Sequence, residues 1–313
     1  MSLPPIVLLF AGQGSQAVGM GQSLAARFPT AKALLEEADS SLEFSLSEVM
    51  FSGPEEELMR TSRCQPALYV HGLMCLAALQ DQLGDELKIS ATAGLSLGEF
   101  TAHAAAGTFS FAEGLQLVAK RGCFMEEACE KTDGSMAAMI GGTEAQVREL
   151  AESVGVDVAN LNSPGQVVVS GARENIGAAI AGAKEAGIRI AKEIKVAGAY
   201  HSSLMKSAQR KLAVELSQIS INTPSCPVVS NLTAQPAMDA KEIRRTLEAQ
   251  VTGSVRWSES MEKLLDSGEL HFLEGGPGKV LTGLMGRIRK GTFCMPTGEV
   301  TALEEAIAAL KAI

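Results

Sequence analysis

Gly94-Leu95-Ser96-Leu97-Gly98 spells G-x-S-x-G between an apolar run and a helical one. Upstream, Leu87–Ala93 reads as a short buried strand; downstream, Glu99–Ala106 reads as a helix stopped by Gly107. A serine on a sharp strand-to-helix turn is lifted out of the sheet with its hydroxyl exposed. The flanking glycines remove the side chains that would collide where the backbone doubles back. Leu97 opens the helix, so its amide has no partner within that helix and is free to face a developing oxyanion. The motif by itself is equally a glycine-rich turn with a capping serine, so a covalent enzyme requires a base for Ser96.

Working outward, strand and helix patterns alternate, which predicts an α/β fold with a mainly parallel sheet. Ile6–Phe10 is the first strand and runs into Ala11-Gly12-Gln13-Gly14-Ser15-Gln16. A long apolar helix is expected over Gln65–Leu83 and another over Phe111–Glu130, the latter carrying Arg121. The pattern changes at Thr132-Asp133-Gly134. Strands Ser135–Ile140, Val156–Asn162, Gln166–Ser170 and Arg189–Ile194, with helices Glu144–Val154 and Arg173–Ala186, give the β-α-β-β-α-β order of a ferredoxin-like unit. The expected organisation is a large subdomain of residues 1–131 and 198–313 with a ferredoxin-like insert of residues 132–197. Later come strand Pro227–Asn231, a helix ending near Val251, strand His271–Glu274 and helix Ala302–Ala312.

Bulk composition narrows the function. The 313 residues are 46% hydrophobic, 20% charged and only 4% aromatic, an ordinary soluble balance with an aliphatic core. A net charge of −9 argues against nucleic acid as a partner. Six cysteines without a C-x-x-C pair predict free thiols, no disulfide and no metal site. The apolar start is too short for a signal core or a membrane span, so a cytoplasmic protein is expected, or one of an organelle stroma or matrix if a transit peptide has been removed.

Four histidines are available as base. His71 lies in an apolar helix and His271 starts a strand, which makes both structural. His103 is displaced from Ser96 by about two helical turns, roughly 10 Å, too far to take its proton. His201 follows the small-residue loop Val196-Ala197-Gly198-Ala199-Tyr200 at an irregular loop–helix junction; it is either a base placed for access or a structural cap. Gln13 sits at the carboxyl end of the first strand, where α/β folds bind ligands, and its amide is a candidate second oxyanion donor or part of a plain turn. The same loop lacks a Walker lysine and the third glycine of a dinucleotide fingerprint, so it is not read as a phosphate loop.

Phe10-Ala11-Gly12-Gln13-Gly14-Ser15-Gln16, Gly94-Leu95-Ser96-Leu97-Gly98-Glu99, Arg121-Gly122, Asn162-Ser163-Pro164-Gly165-Gln166, Ala199-Tyr200-His201-Ser202 and Glu274-Gly275-Gly276-Pro277-Gly278-Lys279-Val280-Leu281 follow in that order. Together they resemble the malonyl-CoA:acyl carrier protein transacylases of fatty-acid synthesis, along essentially the whole chain. The resemblance implies an α/β-hydrolase-like large subdomain and a ping-pong acyltransferase in which Ser96 carries malonyl as an ester. It implies that His201 is the base, steadied by a backbone carbonyl near Gln250, and that the amides of Gln13 and Leu97 hold the oxyanion. Arg121, Gln250 and Tyr200 become substrate-binding residues. An arginine forks onto a carboxylate in a way lysine cannot, which would favour malonyl over acetyl. Without the resemblance, Arg121 reads as a surface residue paired with Glu126 or Glu127. The partners implied are a coenzyme A thioester and an acyl carrier protein, with no cofactor beyond these substrates, and a monomer is expected.

Three positions depart from the family's common pattern. Leu95 stands where histidine usually precedes the nucleophile, Ala11 replaces a proline, and Tyr200 replaces a phenylalanine. The Tyr200 ring is expected to crowd an α-methyl group and so disfavour methylmalonyl. Lys279, Arg287, Arg289 and Lys290 occur with no acidic residue between them, and some of them are expected to form a carrier-binding rim, the alternative being a solvated helix face. The competing functions are a serine thioesterase or hydrolase that admits water, a non-catalytic carrier-binding protein, and a discrete acyltransferase serving a polyketide synthase.

Overall fold

Strand β1 (Ile6–Phe10) is buried along its whole length and explains the architecture around it. Its side chains alternate between two cores. Ile6, Leu8 and Phe10 face the cluster built on helices Thr61–Leu83 and Phe111–Glu130, whereas Val7 and Leu9 face Trp257, Met261, Leu284 and Met285. A strand covered on both faces must be apolar at every position, which is why β1 shows no polar alternation.

The computed structural model describes residues 3–313. The remaining strands are β2 (Ile89–Gly94), β3 (Gly134–Ile140), β4 (Asp157–Ser163), β5 (Gln166–Ala172), β6 (Ile190–Glu193), β7 (Val228–Val229), β8 (Pro236–Ala237), β9 (His271–Gly275) and β10 (Phe293–Pro296). The large sheet has the order β10-β9-β1-β2-β7-β8. All its pairings are parallel except the edge pair β7–β8. The second sheet has the order β4-β5-β3-β6 and is antiparallel throughout, with helices Glu144–Val154 and Arg173–Gly182 packed on it through Val147, Leu150, Ile176 and Ala179. That order is the one a ferredoxin-like unit takes.

The two sheets are stitched together by backbone. Val255 donates to the Ala159 carbonyl at 2.8 Å, and its own carbonyl accepts from Leu161 N at 2.9 Å. The seam lies two residues after the tight turn that ends helix Ala240–Ala249, and thus fixes Gln250 against the mouth of the large sheet.

Several elements differ from the sequence reading. The long helix begins at Thr61, a turn earlier than expected, so Gln65 lies a turn inside it and not at its head. The strand expected over Pro227–Asn231 shortens to Val228–Val229, because Asn231 turns toward β2 and Ser96 instead of continuing the ladder. Helix Trp257–Asp266 was not anticipated, and Val280–Ile288 was read only as a solvated helix face, yet both cover the second face of the sheet. Cys64, Cys75 and Cys129 are buried free thiols, whereas Cys123 is exposed. Among the described residues no helix is long and apolar enough to cross a membrane, and no cluster of metal-ligating side chains occurs.

Candidate active site

Ser96 lies two residues past the end of β2 and immediately before helix Leu97–Ala105, with φ 56° and ψ −106°, a conformation that non-glycine residues rarely hold. Its surroundings over-determine it. A Cβ at position 94 would lie 2.0 Å from the Gly98 carbonyl, and one at position 98 would lie 2.2 Å from the Phe10 carbonyl oxygen. The two glycines of the motif are therefore required by close approach of backbone. Asn231 completes the clamp: its Oδ1 accepts from Ser96 N at 2.6 Å and its Nδ2 donates to the Gly94 carbonyl at 2.7 Å. Leu95 packs its side chain against the second-face core, and its amide donates to the Phe10 carbonyl at 3.1 Å.

His201 is brought to the serine. Its Nε2 lies 2.7 Å from Ser96 Oγ and its Nδ1 2.9 Å from the Gln250 carbonyl oxygen, which fixes the tautomer with the proton on Nδ1. The residue has φ 55°, so both halves of the pair occupy the left-handed region. Burial first, and the Arg121 charge second, lower the imidazole pKa to about 4. The ring is thus neutral at physiological pH and ready to accept a proton. A carbonyl takes the third position that an acid fills in many serine enzymes.

Arg121 does not sit on the surface with Glu126 or Glu127. Those two pair instead with Arg60 and with Lys131 and Lys211. Arg121 is 1% exposed, with Nη1 donating to Gln65 Oε1 at 2.7 Å and Nη2 to Gln250 Oε1 at 3.0 Å and Ser96 Oγ at 3.2 Å. Its plane lies near the Phe100 ring, 5.1 Å from the centroid. Among the described residues it makes no ion pair, and its Nε has no partner. Burial lowers its pKa to about 10, which leaves it cationic. A buried cation held only by neutral oxygens is an expensive arrangement unless an anion completes it.

The remaining expected site residues fall nearby. Leu97 is the first residue of its helix, so its amide N–H donates to no carbonyl within that helix. The Gln13 loop packs against the serine turn, since a Cβ on Gly12 would lie 2.4 Å from the Leu95 carbonyl oxygen. Tyr200 is buried next to His201, its hydroxyl 2.5 Å from Thr61 Oγ1 and close to the side chains of Gln13 and Cys129. His103 and His71 are buried in helices, away from Ser96, and His271 lies in β9.

The four basic residues are spread along one helix. Lys279 precedes helix Val280–Ile288, whereas Arg287, Arg289 and Lys290 lie at its other end, about 13 Å away at the helical rise. Arg289 is paired with Asp266 at 2.6 Å and Arg287 donates to Gln166 at 2.9 Å.

Three residues of the site went unread in the sequence. Gln65 and Asn231 carry no motif of their own, and Glu99 stood inside the quoted motif without a role. Glu99 is fully buried, and burial raises its pKa to about 7 against the hydrogen bonds it receives from Gln250 and Asn231. A lone polar residue at the head of an apolar helix was the only available signal for Gln65.

Residues 7–288 match the family described as acyl transferase domain. A malonyl CoA-acyl carrier protein transacylase of Bacillus subtilis is 39% identical over 311 residues, 98% of this chain and 97% of that protein. A polyketide biosynthesis malonyl CoA-acyl carrier protein transacylase of Bacillus velezensis is 42% identical over 93% of this chain and 99% of its own length. The solved malonyl CoA-acyl carrier protein transacylase of Coxiella burnetii superposes with a TM-score of 0.94 at 35% identity, covering 99% of this chain and 98% of that one. With a serine elbow, a neutral histidine and an unpaired arginine converging at the sheet mouth, the chain belongs to the acyl transferase family, among the malonyl-CoA:acyl carrier protein transacylases.

Proposed function

We propose that the protein moves a malonyl group from malonyl-CoA to the phosphopantetheine thiol of an acyl carrier protein in fatty-acid biosynthesis, through a malonyl ester on Ser96. The observation that carries this reading is Arg121: a buried guanidinium 3.2 Å from the nucleophile, with no carboxylate in contact among the described residues and Glu99 acting on it only from a distance. A short acyl chain with a terminal carboxylate, once attached to Ser96, supplies the missing anion.

The geometry supports the following sequence. Ser96 Oγ attacks the thioester carbonyl as its proton passes to His201 Nε2. The oxyanion of the tetrahedral intermediate rests on the amides of Leu97 and Gln13, each such donor typically worth ~3 kcal/mol of barrier. Collapse breaks the carbon–sulfur bond, and the imidazolium returns the proton to the leaving thiolate of coenzyme A. The carrier thiol then gives its proton to His201, attacks the ester carbonyl and releases Ser96, which recovers the proton. Serine, histidine and two amides complete this cycle with no cofactor beyond the two thioester substrates. Residues 1–131 and 198–313 serve as the catalytic subdomain and residues 132–197 as its insert, in a cytoplasmic monomer.

Polyketide synthesis is the second reading, favoured by the Bacillus velezensis relative; it uses the same chemistry and another carrier. Steady-state kinetics with malonyl-CoA and holo carrier protein test the proposal. Parallel double-reciprocal lines, with Arg121→Ala depressing malonyl loading far more than acetyl loading, are expected. Intersecting lines, or free malonate as the main product, would favour a direct transfer or a hydrolase.

A further inference from the structure

Glu99 is a fully buried carboxylate one turn into the helix that Ser96 opens, and the mechanism above leaves it idle. One of its oxygens does all its work. Oε2 accepts from Gln250 Nε2 at 2.6 Å and from Asn231 N at 3.1 Å, while Oε1 has no partner among the described residues. Gln250 Nε2 also donates to the Ser96 carbonyl at 2.9 Å. The nitrogen end of the Gln250 amide is therefore held by two acceptors, and its oxygen end is left facing Arg121 Nη2 at 3.0 Å.

We propose that Glu99 is a positioning residue for acyl-group selectivity, holding the Gln250 side-chain amide so that its Oε1 steadies Arg121 for a substrate carboxylate. This rests on the reading of Arg121 as the partner of the malonyl carboxylate. The physical argument is one of polarity. If the amide turned over, its oxygen would face the Glu99 carboxylate and the Ser96 carbonyl, and its NH2 would face a guanidinium; every contact would change from attractive to repulsive. Gln65 Oε1 would then be the one side-chain amide oxygen left on Arg121. The Gln250 backbone carbonyl, which orients His201, belongs to the helix end and does not depend on this side chain. Glu99 thus acts on the carboxylate clamp and leaves the base alone. Burial places its pKa about 7, so it is partly protonated near neutrality. A proton on the unpartnered Oε1 leaves Oε2 an acceptor in both forms. For the same reason a glutamine can present its carbonyl oxygen in place of Oε2.

The test compares malonyl-CoA and acetyl-CoA loading (kcat/KM) for the full-length wild type, Glu99→Gln, Glu99→Leu, Arg121→Ala and the double variant Glu99→Leu/Arg121→Ala, with thermal midpoints alongside. Loss of a positioning hydrogen bond at a charged group should lower the malonyl-to-acetyl ratio about 10-fold in Glu99→Leu and less than about 3-fold in Glu99→Gln. In the Arg121→Ala background, Glu99→Leu should lower the ratio no further, because both act through one contact. Equal losses of malonyl and acetyl loading in Glu99→Leu, with Arg121→Ala still losing malonyl loading far more than acetyl loading, would overturn the role of Glu99 while sparing that of Arg121. An Arg121→Ala variant that loses malonyl and acetyl loading equally would overturn both. If Glu99→Leu does not fold, Glu99→Asp, which withdraws the oxygen by one methylene, must show the same selective loss, and an unchanged ratio in it contradicts the proposal.

Discussion

His103 and His201 are two buried histidines whose local chemistry is nearly the same. Each places Nδ1 against an oxygen, Thr108 Oγ1 at 3.0 Å for His103 and the Gln250 carbonyl at 2.9 Å for His201. Burial holds both imidazoles well below their ordinary range, to about 3 and about 4. They differ at the other nitrogen and in the backbone. His201 Nε2 meets Ser96 Oγ, whereas His103 Nε2 has no partner among the described residues. His103 lies within a regular helix, whereas His201 holds φ 55° where the chain re-enters the large sheet's side of the molecule. Burial and a displaced pKa are thus shared by a core residue and a base. What separates them is a strained backbone that aims the second nitrogen at a nucleophile.

Substitution should split the pair most widely. His201→Ala or Ser96→Ala is expected to lower the rate of malonyl transfer by at least about 10³-fold with little loss of stability, as for other serine–histidine pairs. His103→Ala should leave the rate within a few-fold of wild type and instead cost about 2–4 kcal/mol of stability through the cavity it leaves. Transfer assays and denaturant titrations of the three variants read this directly. A His103 variant as inactive as the His201 variant would erase the distinction.

Arg121→Ala comes next in size. Removing one side of a buried charge-assisted contact typically costs about 2–5 kcal/mol, so malonyl loading should fall roughly 30-fold or more while acetyl loading changes little. Competition between the two thioesters for the enzyme checks it; equal falls would remove Arg121 from acyl recognition.

The pH dependence of stability follows from both histidines together with His71, which burial holds at about 4. A histidine with a lowered native pKa binds its proton more readily when unfolded. Its stabilising contribution is complete above pH ~6.5 and is lost as pH falls from there toward about 4. Glu99, raised to about 7, and Glu274, also raised by burial, act in the opposite sense, but two carboxyls do not offset three histidines. Stability should therefore drop by a few kcal/mol between pH 6.5 and 4. A denaturation midpoint that stays constant across that range would contradict the buried neutral state of these rings. The smallest effect is expected for Tyr200→Phe, which gives up the hydrogen bond to Thr61 at a cost of about 1 kcal/mol. Because the ring remains, discrimination against methylmalonyl-CoA should survive, and equal malonyl and methylmalonyl loading would exclude Tyr200 from the acyl pocket.

Which parts of the molecule were legible beforehand follows from how local their causes are. The serine turn was readable because its strand, glycines and helix are contiguous. The small sheet was readable because its six elements follow one another with clear periodicity. Gln65, Asn231 and the Glu99 contact were not, because each gains its meaning only from residues more than fifty positions away. Helix Trp257–Asp266 and the buried face of Val280–Ile288 were missed for a related reason: what defines them is the second face of β1, which no local pattern announces. For the four basic residues near the carboxyl end, the sequence did not show the helix length that separates Lys279 from the others or the Asp266 pairing of Arg289.

The central claim is that Ser96 carries the acyl group between two thiols. Intact-mass measurement after mixing with malonyl-CoA tests it most directly. The account predicts a single malonyl adduct that is absent in Ser96→Ala and disappears, with malonylated carrier formed, when holo acyl carrier protein is added. Absence of an adduct, or its decay to free malonate without a carrier, would contradict it.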